Sequence, residues 1–220
     1  MKLRILTGLS LLASALVLSG CFFHDSIRGS GTVVSESRDV KGFTGIELMG
    51  SGKLVIEQSD TESLSIKTDD NLMEFIVAKV ENGTLKLYPK ESFNLDPSSE
   101  LTFTLLVKKL NKVGVSGGAE IDARGIKTDS LTIAVSGAAE IKITGETVDH
   151  KVAISGTGEL SAEGFNSKSA SISISGAGHA VLAVSDRLDV EVSGAGEVEY
   201  IGNPKVTENI SGAGSVTRRS

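Results

Sequence analysis

A short stretch, Val135-Ser136-Gly137-Ala138-Ala139-Glu140-Ile141, recurs through the C-terminal half and constrains the fold more than any other feature. Its copies open at Ser116, Ser136, Ser155, Ser175, Ser193 and Ser211, at intervals of 20, 19, 20, 18 and 18 residues. Each Ser is followed by Gly and then by two residues drawn from Gly, Ala and Thr. Six near-identical units at a fixed short period define a repeat architecture, in which no unit buries its apolar face alone and stacked units share one core.

The stacked copies resolve into columns. One position before each Ser stand Val115, Val135, Ile154, Ile174, Val192 and Ile210; three before stand Val113, Ile133, Val152, Ile172 and Val190. Five after stand Ile121, Ile141, Leu160, Ala180, Val198 and Val216, with polar columns between. Alternation of this kind marks half-buried strands, and β-branched residues suit their inner face. The expected fold is all-β, a right-handed parallel β-helix (solenoid) with coils of about 18–20 residues. At the corner, repeated bends bring backbones together, and glycine supplies positive φ without a clash. The serines are expected to stack as a hydroxyl ladder able to bond neighbouring backbone.

The regular repeats occupy 111–220, and 29–110 reads as less regular coils of the same single domain, 29–220. Met49-Gly50-Ser51-Gly52 is a divergent seventh corner, because six positions separate Leu48 from Leu54 as they separate Val192 from Val198. Pairs such as Leu64 and Ile66, Leu85 and Leu87, and the run Leu101–Leu105 read as strands. Asn82-Gly83 signals a tight turn, and Ser92–Ser99, with Pro97, an excursion loop. A helical turn is confined to Asn71–Phe75, where Asp69 and Asp70 are candidate caps. At the far end, either the polar tail Thr217–Ser220 caps the last coil or that end is a docking surface.

Residues 1–20 carry Lys2, Arg4, an apolar run from Leu11 to Leu18 and the small residues Ser19-Gly20, the pattern of a secretory signal peptide. Cys21, the sole cysteine, rules out an intramolecular disulfide. Leu18-Ser19-Gly20-Cys21 resembles the lipobox of bacterial lipoproteins, which implies lipid attachment at Cys21, a lipidated tether over 21–28 and contact with a membrane. No Asp follows Cys21, a pattern that in enterobacterial lipoproteins resembles outer-membrane cargo. Loss of residues 1–20 removes two bases and no acid, leaving 20 Lys and Arg against 28 Asp and Glu. An acidic chain without a basic cluster argues against a nucleic-acid partner.

The sharpest site candidate lies four positions after each Ser: Glu120, Glu140, Glu159, His179, Glu197 and Ser215. Parity points these side chains outward. Carboxylates one strand spacing apart repel by about 0.9 kcal/mol per neighbouring pair even at a dielectric of 80. Such a stripe is either tolerated by solvation or relieved by a cation with oxygen ligands. The histidines His24, His150 and His179 lack metal-ligand spacing. Ser175, four residues before His179, alone invites comparison with an activated nucleophile, yet a serine shared by six corners reads as structural. Trp is absent, which leaves sugar recognition to Tyr88, Tyr200 and seven Phe; of these, Phe43, Phe75, Phe103 and Phe165 take core positions. The corners lack the Gly-x-Gly-x-x-Gly spacing of a dinucleotide loop, and no cofactor is implied.

Gly29-Ser30-Gly31-Thr32, Arg38-Asp39-Val40 with Phe43-Thr44-Gly45-Ile46, the Ser-Gly-Ala-Gly corners and Val198-Glu199-Tyr200-Ile201-Gly202-Asn203-Pro204 together resemble the head-GIN domain family. The resemblance spans roughly residues 29–218 and implies an exported β-helical domain of the cell envelope with an adhesin-like role. It implies no enzyme and brings no catalytic residues. The expected partners are a membrane, through the anchor, and a surface glycan or protein. A periplasmic envelope-maintenance or stress-related role is the alternative, with a polysaccharide-active enzyme third.

Overall fold

A computed structural model describes residues 25–90 and 93–219. The expected signal peptide, residues 1–20, and Cys21, His24 and Ser92 lie outside the described residues. The fold is nearly all β. Strands β1 (Asp25–Arg28), β2 (Val33–Arg38), β3 (Gly45–Gln58) and β4 (Ser63–Asp69) precede a single 3-10 turn, Met73–Phe75. Then come β5 (Ile76–Glu81), β6 (Thr84–Pro89), β7 (Phe93–Asp96), β8 (Thr102–Val107), β9 (Lys112–Gly194), β10 (Glu197–Ile201), β11 (Lys205–Gly212) and β12 (Ser215–Arg218).

β9 is one continuous hydrogen-bonded run of 83 residues that turns at glycine corners rather than at loops. At Gly117, Gly137, Gly156, Gly176 and Gly194 the chain bends with φ between 125° and 134°, and Gly50 (φ 123°) and Gly212 (φ 127°) do the same. A Cβ on Gly137 would lie 2.3 Å from the Gly117 carbonyl oxygen, and one on Gly156 2.3 Å from that of Gly137. The same contact recurs from Gly50 to Gly212, so each corner rests on the one before it. Glycine is required there twice over, by φ and by the carbonyl of the preceding corner.

Registers are parallel throughout this stack. Met49, Gly50, Ser51 and Gly52 of β3 stand beside Ser116, Gly117, Gly118 and Ala119, which makes the divergent corner part of the series. At the other end β11 matches Ser211 to Ser193, and β12 matches Val216 to Val198 on β10. Inside runs one apolar core, from Val40 and Phe43 to Val192 and Val198. Its columns are the ones read from the repeat.

The first third departs from the expected coils. β3 lends its other edge to two partners, β6 along Gly45–Leu48 and β8 along Lys53–Gln58, both parallel. Beyond them the pairing turns antiparallel: β4 runs against β8 and β2 against β4. β5 and β6 form a hairpin closed by Asn82 (φ 49°) and Gly83 (φ 73°), the backbone that two-residue hairpins favour. This antiparallel layer covers the starting end of the stack, where a parallel edge would otherwise be bare.

One further expectation is corrected. Four residues read as tether, Asp25–Arg28, form β1 and pair in parallel with β7, inside the expected excursion loop. The C-terminal tail prolongs the ladder, with Arg218 beside Tyr200 and the Arg219 amide donating to the Tyr200 carbonyl.

Candidate functional site

The corners form a ridge, and the residues on either flank are set by strand parity. On one side, Ser116, Ser136, Ser155 and Ser175 edge a trough floored by the small residues Gly114, Ala134, Ala153 and Ser173. All six serines face solvent. The backbone bonds imagined for their hydroxyls are made by amides instead: Ala195 N–H donates to Gly176 O, and Ala213 N–H to Gly194 O, each at 2.9 Å.

On the other flank the structure brings Glu140, Glu159, His179 and Glu197 into one open trough over a ledge of Ala and Gly. Glu120 stands in line with them but is paired: Lys53, its register partner on β3, puts Nζ 2.6 Å from its carboxylate. That bond holds the Lys53 ammonium above its ordinary pKa. His179 sits directly beside Glu197. Its Nδ1 lies 3.6 Å from Glu197 and its Nε2 3.9 Å from Glu199, a carboxylate outside the expected column. The three offer ligand atoms within 4.8 Å of one another, although each carboxylate faces a different ring nitrogen. A cation at one end and an imidazole within the stripe thus interrupt the run of like charges.

His150 belongs to neither flank. It is 1% exposed, against Phe165, and neither ring nitrogen has a hydrogen-bond partner. Burial pushes its pKa down to about 4. The repeat holds the signal for this: five before the last five serines stand Leu131, His150, Ala170, Leu188 and Val206, a mostly buried apolar column. His150 is therefore a neutral core residue, with no nucleophile or acid assembled on it. Ser175 is exposed, and the contacts of His179 run to the glutamates.

Sequence reasoning missed a pocket of about 470 Å³ where the first corners meet the β7–β8 connection. Ile76, Tyr88, Leu95, Leu101 and Phe103 contribute its apolar wall; Glu100, Glu120 and Glu140 are its acids. Nearby, Asp69 ties three segments together. Its carboxylate accepts the Gly31 amide at 2.7 Å, the Ser98 amide at 2.8 Å and the Ser98 hydroxyl. These bonds, the hydroxyl's foremost, hold it below the ordinary aspartate range. It makes no side-chain cap on the 3-10 turn, which starts from Leu72 uncapped.

Fold and surface together define the class: an all-β protein of stacked parallel strands that presents long troughs beside a rigid ridge. The chain belongs to the family described as "putative auto-transporter adhesin, head GIN domain", whose profile matches residues 42–204. No catalytic family is indicated. Among curated proteins none matches. A crystal structure of a "putative adhesin" from Bacteroides fragilis is similar at 22% identity, with 88% of this chain and 100% of that one covered and a TM-score of 0.67. A "putative lipid binding protein" from Parabacteroides distasonis is 24% identical over 89% of this chain and 100% of its own, TM-score 0.55. A "putative adhesin" from Parabacteroides merdae is 19% identical over the same shares, TM-score 0.54. Likenesses at these identities speak to the fold. The family places the chain with extracellular or envelope proteins, and no helix among the described residues is long and apolar enough to cross a membrane.

Proposed function

We propose that this chain is a non-catalytic, adhesin-like binding module held at the outer membrane by a lipid on Cys21, with the repeats wound as a right-handed parallel β-helix. The observation that carries the reading is the unbroken ridge from Gly50 to Gly212, each corner seated on the last. A ridge built this way is stiff, because shifting one corner requires moving its neighbours. It holds side chains at a fixed repeat of roughly 4.8 Å on two flanks. Stiffness and periodicity suit recognition of an extended surface polymer, a glycan or a protein strand, better than turnover of a substrate. The right hand follows from the general preference of parallel crossovers, and the lipid reading from the lipobox resemblance.

Protease shaving of intact cells, followed by glycan-array binding of the released domain, tests this. Loss of the protein on shaving and retention of selected glycans are the expected results. Protection in intact cells but cleavage in spheroplasts would move the domain to the periplasm and favour the envelope-maintenance role.

A further inference from the structure

We infer that the pocket at the start of the ridge is a binding site for a small amphipathic cation, with an apolar body and an ammonium head. The inference concerns this pocket alone and is independent of how the chain is anchored.

Three features carry it. The first is shape and lining. Its volume of about 470 Å³ falls within the ~300–1,000 Å³ of small-molecule sites, which combine an apolar lining with a few placed polar groups. Leu101 and Phe103 present buried side chains to it, and Ile76 closes the wall from β5. Across from them the backbone of Gly50, Gly52 and Gly118 lines the pocket. At Gly52 a Cβ would stand 2.9 Å from the Leu101 carbonyl oxygen, so chain and wall meet there without a side chain between them.

The second feature is charge. Glu100, Glu120 and Glu140 line the pocket, and no Lys or Arg does. Glu120 is satisfied from outside by Lys53. Glu100 and Glu140 have no ion-pair partner among the described residues. An anionic amphiphile would bring a like charge to this rim, whereas an ammonium would meet two unpaired carboxylates beside an apolar wall that weakens solvent screening.

The third feature comes from inside the protein. The Lys53 ammonium already feels Glu120 and, more weakly, Glu100, and both raise its pKa. Carboxylates of this rim thus already attract one primary ammonium, which reaches them from outside the pocket. A metal ion fits less well, because oxygen-seeking cations need several ligands converging on one point, and here the acids are spread around an apolar opening. Glu140 also lines the acidic trough that holds Glu159 and His179.

Isothermal titration of the purified protein with octylammonium chloride, octanol and sodium octanoate, all below their micellar concentrations, varies the head on one apolar body. Octylammonium is expected to bind at least tenfold more tightly than octanol, with octanoate weakest. The double variant Glu100→Gln/Glu140→Gln, at exposed positions that leave the core untouched, is expected to lose at least tenfold in octylammonium affinity while octanol binding stays the same. Glu159→Gln/Glu197→Gln, farther along the trough, is expected to retain the parental affinity. Octanoate binding as tight as octylammonium, an undiminished affinity in the first variant, or an equal loss in the second would each overturn the inference.

Discussion

The imidazole of His150 stands edge-on to the ring of Phe165, with centroids 5.0 Å apart and planes at 80°. Aromatic edges and faces attract in this arrangement, but the imidazole pays for its place with two nitrogens that no donor or acceptor meets. Desolvation lowers its pKa from 6.5 to about 4. A depressed folded pKa means that, as pH falls, the unfolded chain takes up the proton first. Stability from this site is complete above about pH 6.5 and drains away toward pH 4, a loss on the order of 3 kcal/mol. His150→Leu, which copies Leu131 and Leu188 of the same column, should flatten the melting temperature between pH 7 and 4 relative to the parent. Parallel pH profiles for the two proteins would refute this account.

Asp69 makes a second, lower pH limb. Its folded pKa is depressed by the Ser98 hydroxyl and by the Ser98 and Gly31 amides. Its contribution is therefore present above the ordinary aspartate pKa, near 4, and fades as pH drops below it. Asp69→Ala should lower the melting temperature at pH 7 by several degrees, since it removes three partly buried hydrogen bonds at once. Gly29→Ala should act similarly, because its Cβ would lie 2.3 Å from the Asp69 carboxylate. Circular dichroism melts of both variants provide the measurement.

The two glycines of one corner differ in how replaceable they are. On Gly156, at φ 125°, a Cβ would lie 2.3 Å from the Gly137 carbonyl oxygen, and neither backbone can yield. Gly156→Ala should cost about 3 kcal/mol or more in chemical unfolding. Gly158 points inward, at ordinary φ, and its Cβ would meet a side chain rather than backbone, Ile154 Cγ2 at 2.9 Å. Ala139 already fills the matching place one repeat earlier at 8% exposure. Gly158→Ala should therefore fall within about 1 kcal/mol of the parent.

That contrast shows how far the sequence could be read. A column shared by six corners exposes both its backbone and its side-chain demands, so the core faces, the divergent corner at Met49 and the outward glutamates were all legible. Legibility ended where repetition did. Nothing local marks the antiparallel turn of β2 and β4, or the pairing of Ile27 with Leu95 across 67 intervening positions. These depend on tertiary partners, as strand preferences generally do. The pocket between the first corners and the β7–β8 connection belongs to that same unrepeated part, and so was invisible in the columns. His150 was legible in principle, but only in the column five before the serines, where Leu131, Ala170 and Leu188 mark a core position.

The acidic stripe gives the last prediction. Glu140 and Glu159 face the same trough with the Lys53 and Glu120 pair at one end and His179 at the other. The two glutamates between these relieving groups carry repulsion on the order of 1 kcal/mol in water. Glu140→Gln/Glu159→Gln should raise the melting temperature by a few degrees at low ionic strength, and the gain should shrink toward zero near 1 M salt, where screening reaches about 3 Å. Lys53→Met should do the reverse, because it releases Glu120 into the stripe. Calcium separates the two ways of relieving the charge. A solvated stripe predicts that millimolar calcium shifts the parent and the double variant alike. A gain confined to the parent would mean instead that the glutamates share a bound ion, and the low-salt gain of the double variant would then vanish in calcium.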